Sequence, residues 1–178
     1  MKAVMLEVPK ALLEERRRLG HDRFDEMWDG VLHMVPPGLS WHFQFATELL
    51  LVLGPIAKQR GLVPFHEVGF YRHTKDYRVP DLAFAAQDNI VRRGIEGGVP
   101  LVVEIRSKHD ETDEKVPWYL AQGVAEVLVI HPDTRAVELF TAAGRTAGTV
   151  DVATLGVRLE VVNGPRLRLT WDGGSAEI

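Results

Sequence analysis

The sequence predicts an α/β (α+β) fold, a mixed β-sheet flanked by helices with a C-terminal β extension. Three observations carry this. Val79-Pro80-Asp81-Leu82-Ala83-Phe84 and Leu101-Val102-Val103-Glu104-Ile105-Arg106-Ser107-Lys108 are apolar, partly β-branched runs that read as buried strands. Helical stretches lie between the strands rather than in a separate block. The C-terminal part reads as a strand pair around Asn163-Gly164, a strong hairpin turn.

The chain has 178 residues, enough for a substantial core, and residues 1–178 are read as one domain. Its 46% hydrophobic and 26% charged content suits a soluble globular protein. No apolar run is long enough to span a bilayer, so no membrane association is expected. Met1-Lys2-Ala3-Val4-Met5-Leu6-Glu7 lacks the apolar core of a leader. There is no cysteine, which excludes disulfides and thiolate metal sites and points to the cytoplasm. The net charge of -4 argues against nonspecific coating of nucleic acid. It leaves room for a nuclease, because a local basic patch can outweigh net charge.

Residues 9–19 read as a short helix, with Leu12, Leu13 and Leu19 apolar. Its Arg16-Arg17-Arg18 run could touch phosphate, but the preferred reading is a solvated face paired with Glu14 and Glu15. Asp29-Gly30 is a turn, residues 31–35 a first strand, and Pro36-Pro37-Gly38 its end. Ser40 is a fair N-cap for the longest helix, 41–60, with Phe45, Leu49, Val52 and Ile56 at core spacing and His42 in the first turn. Pro55 should kink or shorten that helix. Residues 62–65 and 68–72 form a second strand, bent near Pro64 or Gly69, and Thr74-Lys75-Asp76 turns into the Asp81 strand. Residues 87–98 are a polar connection with room for a short helix. After the Glu104 strand, a helix starting near 113–115 runs to Gln122, with Pro117 in its first turn and Gly123 as its stop. Residues 125–130 and 135–141 are strands, 144–148 a loop, and 157–162 with 166–171 the terminal pair. Gly173-Gly174-Ser175 should fray.

The chemistry centres on the two interrupted strands. An unpaired carboxylate in a buried strand is costly, and two on neighbouring strands repel unless a cation lies between them. Mg²⁺, commonly held by one or two carboxylates and several waters, is the simplest compensator. Asp81 follows Pro80, which marks a strand start or edge, so Asp81 should sit where solvent and substrate reach it; the alternative is a turn acid capping local N–H groups. Glu104 could instead pair with Arg106 or a neighbouring strand. Alternation puts Glu104 and Arg106 on one face, with Lys108 continuing the parity and Lys115 delivered from the following helix. A metal held by acids, with a cation beside it, is what phosphodiester hydrolysis needs. The seven His residues show no helical zinc spacing, and no phosphate-binding glycine loop or nucleophile elbow is present.

These residues resemble the signature of the PD-(D/E)XK nuclease superfamily and, more narrowly, the Uma-type family of restriction endonucleases. The matching pieces are Asp29-Gly30-Val31-Leu32, Pro36-Pro37, His42, Pro80-Asp81, Val103-Glu104-Ile105, and Lys115, Tyr119, Gly123 and Val124 in the next helix. The likeness covers about residues 25–140 and implies a restriction-endonuclease-like core there. It implies Mg²⁺-dependent DNA cleavage, with Mn²⁺ as a substitute. Asp81 and Glu104 would be metal ligands, with the Ile105 carbonyl as a third. Lys115 would be the catalytic lysine, with Lys108 second and Arg106 a phosphate contact, since Arg stays protonated. His42 and Glu67 are secondary members of the site. The sequence departs from the family at Arg106, Lys108, Glu111, Pro117 and His131. Cutting both strands of a duplex implies a homodimer. The alternative function is a retired nuclease fold that binds nucleic acid or protein.

Overall fold

The computed structural model describes residues 3–35, 38–107 and 111–178. Among them it has three α-helices and three β-sheets, a mixed α+β architecture. The helices are α1 (Lys10–Leu19), α2 (Ser40–Gln59) and α3 (Thr112–Ala121). No helix among the described residues is long and apolar enough to cross a membrane.

The central sheet has six strands in the order Gly144–Ala147, Val137–Thr141, Glu126–Ile130, Leu101–Ile105, Leu82–Ala85, Val63–His66. Leu101–Ile105 runs parallel to Glu126–Ile130, with α3 as the crossover, and antiparallel to Leu82–Ala85. Three of the sheet's four inner strands, Leu82–Ala85, Leu101–Ile105 and Glu126–Ile130, are buried on both faces, which is why they read as nearly continuous apolar runs. One face, with Leu82, Phe84, Leu101, Val103, Ile105, Leu128 and Ile130, packs on α2 and on the C-terminal sheet. The other, with Ala83, Val102, Val127 and Val129, packs on Val116 and Tyr119 of α3.

Helix α2 buries Phe45, Ala46, Leu49, Leu53, Ile56 and Ala57, one stripe at helical spacing. Leu53 takes the fully buried place predicted for Val52, which packs at the margin. Leu39 rather than Ser40 is the N-cap, and the helix continues through Pro55 to Gln59. Pro55 lies on the exposed side, where water can satisfy the carbonyl that its ring leaves without a helical donor. Helix α3 begins at Thr112, so Pro117 falls beyond the first turn. The helix stops at Gly123, whose φ of 83° suits a residue without a Cβ.

The other two sheets exceed the sequence reading. A seven-stranded sheet runs Ala3–Met5, Val31–Met34, Glu26–Trp28, Asp76–Arg78, Phe70–His73, Gly94–Glu96, Ile90–Val91. The predicted bent strand is thus two strands in different sheets, and the polar connection after Ala85 contains a 3₁₀ turn and a small hairpin. The C-terminal sheet runs Val150–Val152, Val157–Val162, Arg166–Trp171, Gly174–Glu177. The predicted loop at 144–148 contains the paired strand Gly144–Ala147. The predicted fray at Gly173-Gly174-Ser175 is corrected too: Thr170 pairs with Ser175, and Leu167 and Ile178 exchange backbone hydrogen bonds.

Leu169 is fully buried in the cluster shared by this sheet, α2 and the central sheet. Leu169→Ala is expected to lower unfolding free energy by about 2–5 kcal/mol. If residues 1–178 form one domain, urea unfolding followed by tryptophan fluorescence and circular dichroism will still give one coincident transition. Two separated transitions would reject that reading.

Candidate active site

The site lies where the strand holding Glu104 ends and the strand after Asp81 begins. Val103 pairs with Leu82, and His66 pairs with Leu82 from the other side. Continued one step, the register sets Glu104 opposite Asp81 and Asp81 opposite Glu67. The Glu67 N–H donates to the Asp81 carbonyl at 3.1 Å, in keeping with that step. Three carboxylate residues therefore form a row across three adjacent strand ends. Glu67 has a φ of 50°, a left-handed conformation that costs a non-glycine residue of order 1–3 kcal/mol and clusters at functional sites.

Asp81 is fixed by two groups. The Ile105 N–H donates to its Oδ2 at 2.6 Å, and His42 Nε2 lies 2.9 Å from its Oδ1. Ile105 thus touches the site through its backbone, while its side chain belongs to the core on the opposite face. His42 reaches Asp81 from the first turn of α2, as the sequence placed it. Burial works to lower the His42 pKa, but the Asp81 hydrogen bond and the charges of Asp81, Glu104 and Glu67 outweigh it and raise it. Burial, with help from the Asp81 charge, raises Glu67.

Glu104 is 4% exposed. Its Oε1 accepts from the Tyr119 hydroxyl at 2.6 Å and from Lys115 Nζ at 3.2 Å. Lys115 also lies 2.7 Å from Glu26 Oε1. Glu26 is itself 1% exposed, and its carboxylate accepts from the Val79 N–H at 3.0 Å and from Trp28 Nε1 at 2.7 Å. Burial pushes Glu104 up to about 8, with Lys115 opposing and Asp81 and Glu26 reinforcing the rise. Lys115 moves upward although burial works against it, because Glu104 and Glu26 hold its charge. It stays protonated throughout the neutral range.

Several expected members lie elsewhere. Arg106 shares the Glu104 face, but its guanidinium binds Asp113 and lies 3.7 Å from Glu138. Lys108 and the Pro36-Pro37 turn lie outside the described residues. Sequence reasoning missed Glu26 as a partner of Lys115 and left Tyr119 without a role. The available signal at Glu26 was a carboxylate beside Met27 and Trp28, the kind of interruption that marked Glu104. Among the described residues, the tightest group of metal-type side chains is Asp29, His73 and Asp76, with donor atoms within 4.8 Å of one another. Asp76 there is already bound by Arg78 at 2.9 Å and Trp118 Nε1 at 3.0 Å.

Glu104 and Glu67, with pKa values raised above their unfolded values, bind more protons folded than unfolded between about pH 4.5 and their folded values. His42, also raised, loses its stabilising contribution as pH climbs through its folded value. All three terms have the same sign. Below about pH 6.5 His66, which burial lowers, opposes them, so the thermal midpoint measured with chelator present should fall from pH 7 to pH 8.5, and Glu104→Gln should flatten the fall. A midpoint that rises over this range would contradict the charge balance.

The comparisons with known proteins agree with this geometry at the level of fold and family. A solved structure described as a putative nuclease belonging to DUF820, from Anabaena variabilis, aligns at 18% identity over 74% of this chain and 83% of that one, with a TM-score of 0.64. It shows a shared fold. A DrdV–DNA complex aligns at 17% identity over 56% of this chain and 9% of that one; its TM-score of 0.37 carries no argument. The comparison with curated proteins returned no match. The model of the family described as "Uma2: Putative restriction endonuclease" matches residues 13–171, and the chain therefore belongs to that family.

Proposed function

We propose that the protein is a metal-dependent endonuclease that hydrolyses DNA phosphodiester bonds at a PD-(D/E)XK-type site. One observation carries the reading: the strand register, continued one step past Val103 and Leu82, sets Glu104 opposite Asp81, and Lys115 Nζ lies 3.2 Å from Glu104. Nuclease activity accords with the family of the chain. The donor set consists of hard oxygens, which suit Mg²⁺ or its substitute Mn²⁺. Asp81, Glu104 and the Ile105 carbonyl would hold the ion. Bound there, it would neutralise phosphate charge and lower the pKa of a coordinated water.

The chain's own groups then have distinct tasks. Lys115, held protonated, acts as a fixed positive charge for the phosphate oxygens rather than as a base. Glu26 positions Lys115 from the far side, and the Tyr119 hydroxyl fixes the Glu104 carboxylate. His42 orients Asp81, and Glu67 closes the row's outer end, its N–H bonded to the Asp81 carbonyl. Lys108 is the second candidate cation. Because duplex cleavage asks for two sites, the working assembly is a homodimer; lack of cysteine suits the cytoplasm.

One observation favours the second reading, a retired site that only binds. Lys115 and Tyr119 both donate to Glu104, so its carboxylate has partners within the chain. Mn²⁺ calorimetry and plasmid nicking separate the two. The nuclease reading expects Mn²⁺ binding in wild type, its loss in Asp81→Asn and Glu104→Gln with the circular dichroism spectrum retained, and Mg²⁺-dependent nicking. Lys115→Ala should lower the cleavage rate by about 10²–10³-fold. Wild type that binds no Mn²⁺, with or without DNA, and nicks nothing would leave the retired-site reading.

A further inference from the structure

We propose that a cleft on the seven-stranded sheet, beside the carboxylate row, binds a phosphate of the DNA strand, with Arg23 as its principal contact and Arg17 and Arg93 at its rim. The inference rests on the nuclease reading and names a substrate-binding surface for it. The cleft has a volume of about 290 Å³, and Arg17, Arg23, Arg93, Tyr71, Tyr77 and Thr74 are among its lining residues. It extends to Val79, whose carbonyl lies 3.5 Å from Lys115 Nζ. A strand seated in the cleft is therefore led toward the Asp81–Glu104 pair.

The charges facing this cleft leave one cation uncommitted. Asp25 in its wall is 2% exposed and is held by Arg16 through contacts of 2.6 and 2.7 Å. Asp22 lies 3.8 Å from Arg17, and Arg93 lies 2.5 Å from Glu96. Arg23 is exposed and, among the described residues, has no carboxylate partner; its guanidinium lies over the Phe24 ring at 5.4 Å. It lines the cleft together with Gly69, two residues beyond Glu67, and its charge works to lower both Glu67 and His66. An exposed guanidinium next to acids, without an ion pair of its own, suits an incoming phosphate.

The wall behind these arginines is built rather than incidental. A Cβ on Gly69 would stand 2.5 Å from the Tyr71 ring, so the glycine lets that ring lie against the backbone. The Arg93 guanidinium lies over the Tyr71 ring at 4.7 Å, and the Tyr77 ring packs against Tyr71 at 4.7 Å. Burial raises Tyr71 and pushes Tyr77 up to about 12, so both phenols keep their protons and remain donors.

The test is fluorescence anisotropy of a labelled DNA duplex at several salt concentrations, with and without Ca²⁺. Arg23→Ala should weaken binding about tenfold and reduce the slope of log affinity against log salt by about one. Arg23→Glu should weaken it further. Arg158→Ala, on the C-terminal sheet and paired with Asp151, should bind as wild type does. If Arg23→Ala matches wild type in affinity and slope, or if Arg158→Ala weakens binding equally, the cleft assignment falls while the nuclease reading stands. If wild type binds no DNA under any condition, both fall.

Discussion

The structure turns on one mostly enclosed ammonium, whose side chain is 12% exposed. Lys115 sits between Glu26 and Glu104, which belong to different sheets, and reaches them from a helix. Any of the three alone in that environment would be an uncompensated buried charge, a loss of roughly 3–5 kcal/mol once its partner is gone. Together, with the Tyr119 hydroxyl and the Val79 N–H filling further acceptor positions, they are mutually satisfied. The same contacts join the seven-stranded sheet, the central sheet and α3 at one point. Fold and site are thus held by the same atoms.

A second arrangement supports that junction. Arg78 lies between the Trp28 and Trp118 rings at 4.0 and 4.5 Å, with Asp76 bonded to both Arg78 and Trp118. Cation–π contacts strengthen when desolvated, and Arg78 is 3% exposed. The stack ties the strand bearing Glu26 to the helix bearing Lys115. On the same strand pair, His33 stacks on Trp28 and lies 3.0 Å from Glu111, at the start of α3. The helix is therefore fixed near both the lysine and its N-terminal end, which leaves the Lys115 ammonium little freedom.

Around the junction the balance of charge is negative. Glu67, Asp81, Glu104 and Glu26 converge there, against Lys115 and His42. The upward shifts of Glu104 and Glu67 express that surplus, with burial as the leading cause. In the proposed nuclease, hard oxygen donors so arranged would suit a cation such as Mg²⁺. The cleft beside it brings arginines of the complementary sign, with Asp22 and Asp25 held by Arg17 and Arg16.

The sequence by itself determined what depends on neighbours along the chain. Helical spacing located α1, α2 and α3 within a few residues, Asn163-Gly164 set the hairpin between Val157–Val162 and Arg166–Trp171, and the two interrupted strands marked Asp81 and Glu104. Family resemblance then singled out Lys115 and His42, which the fold brings to those two acids. Tertiary structure decided what depends on pairing across the chain. Strands of two to four residues, such as Glu26–Trp28 or Gly174–Glu177, carry too little local pattern to announce themselves, and they form because a partner edge is available. Glu26 could not be matched to Lys115 without knowing that the first strands fold beside Val79. Arg106 could not be separated from the site without Glu138, which arrives from two strands away. The physical reason is the same in each case: the energy of a buried charge is set by the atoms around it in space, and only the fold supplies them.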